Sequence, residues 1–197
     1  MNSNRRVFVT SIFAGAALVL LSRAVNVLTF DGLNFFPGIE SISLPAGARL
    51  LVALVLGEAG LIGVMLGTWC TAAMMHSFTQ PLRVFFCGLV AGVTPPLAFR
   101  LASFHTKLDK SLEGLTPSGL LGLIVINAAL GPTLRIILCF WSGDLDYLPA
   151  KLGWMFCGDL IGSLAVVYAL KFMLRWVTLP KPPVVLRESR IRRQTGE

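Results

Sequence analysis

A chain of 197 residues that is 55% apolar and 14% charged, with a mean hydropathy of +0.75, lies outside the range of soluble globular domains. A soluble core of this length has no room for so much apolar surface, whereas a bilayer solvates it and asks only that the backbone be hydrogen-bonded internally. The net charge of +7 fits Lys and Arg gathered on the cytoplasmic side of a membrane; the lipid bilayer is the expected surrounding, and no nucleic-acid partner is expected.

The first helix is expected over residues 7–30, behind Arg5 and Arg6. The run "VFVTSIFAGAALVLL" followed by "SRA" has the look of a secretory signal with a small-x-small cleavage site. The apolar stretch continues through "SRAVNVLTF" to Phe30, however, and is long enough to cross a bilayer as a retained helix. Next comes "SLPAGARLLVALVLGEAGLIGVMLGTWC", apolar enough for one span yet carrying Arg49, Glu58 and a group of glycines. Further helices are expected over 84–103, 118–141 and 151–176, each of spanning length.

Orientation decides how the second segment is read. Arg5 and Arg6 place the N-terminus in the cytoplasm, and a tail holding Lys181, Arg187, Arg190, Arg192 and Arg193 belongs there too. Both ends on one side require an even number of spans, so residues 43–75 are expected to form a hairpin. Its turn would be "LGEAG", with Gly57 and Gly60 supplying permissive backbone and Glu58 in an aqueous or buried polar setting. The acidic loops "DGLNFFPGIES" and "SGDLDY" then lie outside and Lys107 and Lys110 inside, with only Arg83 and Lys151 on the wrong side. The expected architecture is an all-α, polytopic bundle of about six spans. It comprises one transmembrane domain, 1–176, and a basic cytoplasmic tail, 177–197.

No catalytic constellation is legible. Cys70, Cys87, Cys139 and Cys157 sit in apolar segments without a C-x-x-C pair and read as small packing residues, and neither His76 nor His105 has a partner at metal-ligand spacing. No enzyme, metal or cofactor is expected. The costly residues are the charges inside the apolar runs: Arg23, Arg49, Arg135 and Asp159, all in the outer half of the expected bundle. Three arginines against one carboxylate leave positive charge that a small anionic ligand could neutralise. Asn127 and Pro132 add an amide and a kink on the same helix. A helix starting at Pro45 would also point free N–H groups at such an anion. The plainer use of Arg23 and Arg49 is snorkelling to the interface, and of Arg135 with Asp159 a structural pair. The G-x-x-x-G pairs Gly63/Gly67, Gly88/Gly92 and Gly158/Gly162 are most simply close packing inside one bundle.

Three stretches, in order, carry a resemblance. "SLPAGARLLVALVLGEAGLIGVMLG" is similar to the early segment of MASE1, a family of bacterial membrane-embedded sensory domains, "LTPSGLLGLIVINAALGPTLR" to its later small-residue helix, and "LGWMFCGDLIGSLAVVYALKFM" to its closing segment. The resemblance selects Pro45, Ala46 and Gly47, then Gly57, Gly67, Trp154, Gly158, Asp159 and Gly162. It implies a bacterial inner-membrane sensory module. Members usually feed a fused cytoplasmic output domain, whereas this chain ends soon after its last helix, so a separate protein partner is implied. Binding subunits of energy-coupling vitamin transporters share the size and helix number, and an accessory subunit of a membrane complex is a third reading. Arg49, Arg135 and Asp159, then Arg23 and Asn127, are the expected ligand contacts.

Overall fold

The computed structural model describes residues 3–30, 32, 40–76, 81–105, 117–142 and 148–176. They form five helices: α1 (Ser3–Phe30), α2 (Leu44–His76), α3 (Pro81–His105), α4 (Pro117–Ser142) and α5 (Leu148–Trp176). All five are long and apolar enough to cross a membrane. The expected helices lie inside the observed ones. Pro81 and Pro117 open α3 and α4 because the first helical position does not use the N–H that proline lacks. The chain divides into two compact units, Met1–Val167 and Tyr168–Glu197. In the second, the rings of Phe172 and Trp176 meet edge to face at 6.0 Å. The basic tail and the loop bearing Lys107 and Lys110 lie outside the described residues.

Among the described residues, helices of spanning length thus number five rather than the expected six, because the segment expected as a hairpin is one element, α2, broken at Gly57. Gly57 has φ 58° and ψ −143°, a conformation open to glycine and strained for any L side chain. Contacts on either side of it show that the chain reverses there. Before the break the helix runs against α1: the Leu44 amide is bonded to Asn26, and Val52 packs at Gly15. After it the helix climbs α1 in the same sense, with Gly60 at Gly15 and Gly67 at Ala16 and Val19. Gly60 also lies against Val52 and Leu56, which a continuous helix would hold about 12 Å and 6 Å away along its axis. Arm one, Leu44–Leu56, is therefore only about 20 Å long, while the arm after Gly57 reaches about 28 Å.

α3 then runs antiparallel to the second arm. Gly88 lies against Trp69 and Gly92 against Met65, and the Trp69 indole N–H donates to the Phe85 carbonyl at 3.0 Å. α4 returns beside α3, sharing a core of Leu50, Ala98, Ala102, Leu123 and Ile124, against which Leu160 and Leu164 of α5 also pack. The interior is built of small side chains, with Ala46, Ala48, Ala59, Ala72, Ala91, Ala98, Ala102 and Ala128 all buried. Large ones face outward: Phe13 is 71% exposed, Leu28 86% and Phe104 85%. Small residues inside let helix backbones approach closely, and an apolar exterior suits a lipid solvent. All three G-x-x-x-G pairs serve this close packing within the chain. Cys70 and Cys157 are exposed rather than packed inside.

Candidate functional site

The site begins where α2 begins. Asn26 lies about 6 Å short of the end of α1, and Gly158 about 15 Å inside the start of α5; between them the non-helical residues Glu40–Ser43 lead into the first arm. Ser43 N–H donates to the Gly158 carbonyl at 3.0 Å, Leu44 N–H to Asn26 Oδ1 at 3.0 Å, and Ala46 N–H to the Ser43 carbonyl at 3.1 Å. Pro45 has no N–H to offer. The helix start therefore has fewer donors to offer an anion than the sequence suggested: the Leu44 amide is taken by α1 and that of Ala46 by the helix's own cap, while α5 takes the Ser43 amide just before it.

The same cap accounts for Arg23. Asn26 Nδ2 donates to Glu40 Oε2 at 2.9 Å, while the other carboxylate oxygen of Glu40 pairs with the Arg23 guanidinium. Arg23 is thereby neutralised by Glu40 and supplies no spare charge to a ligand. Neither Asn26, 4% exposed, nor Glu40 was singled out by the sequence. Their partners lie fourteen and eighteen residues apart, beyond any helical spacing. Replacing Asn26 by leucine, close to it in size, is expected to destabilise the purified protein by about 1–3 kcal/mol, because a buried N–H at Leu44 loses its acceptor. Thermal unfolding in detergent measures this, and Ser22→Ala, which removes only a bond back to Val19, should change little.

Glycines fit α5 to this cap. A methyl group on Gly162 would overlap the Ser43 carbonyl, one on Gly158 the Glu40 carbonyl, and one on Gly47 would press on Ser163 and Val166 at 2.8 Å. That contact fixes the first arm of α2 against α5 and sets Arg49, one turn beyond Pro45, facing the α4 and α5 side chains.

There the expected charges meet. Asp159 is buried, 7% exposed, with Oδ2 against Gly131 of α4, where a methyl group would stand 2.8 Å away. Arg135 lies one turn beyond Gly131 and Asn127 one turn before it, so all three share a face of α4. Arg49, half-buried, donates from Nε to the Pro45 carbonyl at 3.0 Å and is within electrostatic range of both Arg135 and Asp159. The folded chain thus brings Arg49, Arg135 and Asp159 together from three helices, with one positive charge in excess. Gly131 and Asp159 each lie about 16 Å in from the joined ends of α4 and α5.

Two buried acceptors accompany the charges. Asn127 Oδ1 has no hydrogen-bond partner, and neither has Ser163 Oγ, one turn along α5 from Asp159. Ser163, fully buried, was missed; its place four residues after Asp159 was the available signal. Trp154 is 39% exposed, and Glu58 and Arg100 are exposed as well. The side chains of Arg83, His76, His105 and Cys139 lie outside the described residues.

No family model, curated protein or solved structure matches the chain.

Proposed function

We propose that the protein is a multi-pass membrane receptor for a small anion, held by Arg49 and Arg135 beside Asp159, which signals its occupancy to a separate protein partner. What carries this reading is the three-helix cluster around the buried Asp159, with its unbalanced positive charge. Charged side chains within a bilayer are expensive and are retained where they pair or bind. Asp159 can pair with only one arginine's worth of charge, so an anion entering between the guanidinium groups would neutralise the remainder. The unpartnered Asn127 Oδ1 and Ser163 Oγ suit a ligand that also carries a donor, such as a hydroxy- or amino-carboxylate.

In this reading the two arms of α2 form a hairpin and the chain has six membrane segments. The first arm is too short for a hydrocarbon core of about 30 Å and stops part-way through it. Its non-helical entry, Glu40–Ser43, is bonded to α1 and α5, as irregular backbone at membrane depth must be. Both termini are then cytoplasmic, and the site opens on the outer side of a bacterial inner membrane. The resemblance to MASE1 supports the sensory role, since Gly57 is the turn, Gly47 and Gly162 the helix contact, and Asp159 the buried carboxylate.

A thermal-shift screen of the detergent-purified protein against small carboxylates, hydroxy- and amino-acids and phosphates tests this. A binder at 100 times its Kd stabilises by about 2.7 kcal/mol. The expected result is a shift in wild type that disappears in Arg135→Ala and shrinks in Asn127→Leu, each still folded. If no anion shifts wild type while the substitutions only lower its Tm, the charges are structural and the receptor reading fails.

A further inference from the structure

The two unpartnered acceptors beside the charges stand at one depth. α4 ends at Ser142 and α5 begins at Leu148, and Gly131 meets Asp159 about 16 Å from those ends on each helix. Deeper still, Leu164 of α5 packs against the core that holds Leu123 and Ile124 of α4, so the two helices run antiparallel. Asn127 and Ser163 each lie one turn further in, about 22 Å from the same ends, on the faces that meet. Asn127 is 4% exposed and Ser163 fully buried, and neither Asn127 Oδ1 nor Ser163 Oγ has a hydrogen-bond partner among the described residues. A methyl group on Gly47 would press on the Ser163 Cα at 2.8 Å, so the first arm of α2, which bears Arg49, closes on the same level from a third side.

By chemistry the site has two poles. The guanidinium groups of Arg49 and Arg135 only donate, whereas the Asp159 carboxylate and the Asn127 carbonyl oxygen only accept, and the Ser163 hydroxyl oxygen accepts beside them. A plain carboxylate or phosphate satisfies the arginines but brings no donor to Asn127 Oδ1, and it sets negative charge near Asp159. An ammonium group does the reverse, with three N–H donors, a positive charge and no acceptor, facing three acceptor groups on two helices. Charge then sets the rest of the ligand. One ammonium against Asp159 leaves both arginines to be matched, and two carboxylates match them, so every charge in the cluster is opposed and the whole is neutral. A dicarboxylate without an amino group overshoots, and a neutral amino acid leaves one arginine unmatched.

Building on the receptor reading, whose ligand class it narrows, we propose that the site takes an amino-dicarboxylate, an acidic amino acid. Its ammonium lies between Asp159, Asn127 and Ser163, and its two carboxylates lie on Arg49 and Arg135. Gly131 serves this arrangement, because a side chain there would displace the Asp159 carboxylate from the face of α4 that carries Asn127.

Isothermal titration of the detergent-purified protein compares L-aspartate and L-glutamate with succinate and glutarate, which lack only the amino group, and with L-alanine, which lacks the second carboxylate. One acidic amino acid at least is expected to bind about 100-fold or more tighter than its counterpart without the amino group, because that counterpart leaves buried acceptors unpaired. Ser163→Ala and Asn127→Leu should each weaken the acidic amino acid by about tenfold and leave the plain dicarboxylate unchanged. A merely structural role would lower the Tm of these variants and keep the ratio of the two affinities as in wild type, which overturns the assignment of the ammonium. Succinate or glutarate bound as tightly as its amino counterpart, or alanine bound as tightly as aspartate, overturns the amino-dicarboxylate and leaves a receptor for another anion standing. Binding of inorganic phosphate alone does the same. If neither phosphate nor any of these acids binds, the receptor reading falls with it.

Discussion

Alanine at Gly162 is expected to lower the Tm of the purified protein by several degrees, and leucine there to prevent its recovery in folded form. The added Cβ would overlap the Ser43 carbonyl and crowd the Leu44 nitrogen, both backbone atoms of the segment that caps the first arm of α2. Neither can yield by changing rotamer, so α5 and the cap must separate. Overpacking a tight contact costs about 1–3 kcal/mol, and each kcal/mol is worth roughly 2–4 °C in a chain of this size. Gly122→Ala and Gly153→Ala are the controls, because nothing lies within 4 Å of an added methyl group at either. Helix propensity favours alanine there by up to about 1 kcal/mol, so their Tm should hold or rise. The comparison separates the loss of a close approach from any general effect of removing glycine.

Asp159→Ala is expected to be the most damaging single change among the charges, by about 3–5 kcal/mol, since it leaves Arg49 and Arg135 facing each other without a buried counter-charge. Arg135→Ala added to it removes that repulsion. The double variant should therefore melt above Asp159→Ala, with a coupling of about 1–3 kcal/mol in a double-mutant cycle. Equal and additive losses would show that the two side chains do not act as a unit. Glu40→Gln, at a different cluster, should add independently to either.

Much of this was legible in the sequence. Apolar runs of spanning length located every helix, and Gly57 in "LGEAG" located the break because its neighbours already formed an apolar run on each side. Arg49, Arg135 and Asp159 were legible as a group because each sits in an apolar run at a similar distance from a helix end. The cap at the start of α2 was not. Its parts, Arg23, Asn26, Glu40, Ser43 and Gly158, come from α1, the segment after it and α5, and no periodicity links them. A helix starting at proline looks open to an anion until the acceptors for its neighbouring amides are known. Ser163 was hidden for the opposite reason, being a small residue among small residues, visible as polar only once its burial is known. The outward cysteines show that an apolar setting in sequence does not separate interior from lipid-facing positions.

Everything proposed for the site depends on the reversal at Gly57, which carries Arg49 back among α4 and α5 instead of leaving it at the far end of a long straight helix. Electron-electron distances between spin labels at positions 42 and 74, in the chain freed of its native cysteines, measure that reversal directly. A continuous α2 separates these positions by about 45 Å or more, whereas two arms folded beside each other bring them within about 30 Å. The account predicts the short distance in wild type. A distribution centred near 45 Å would contradict it, and with it the meeting of Arg49 with Arg135 and Asp159.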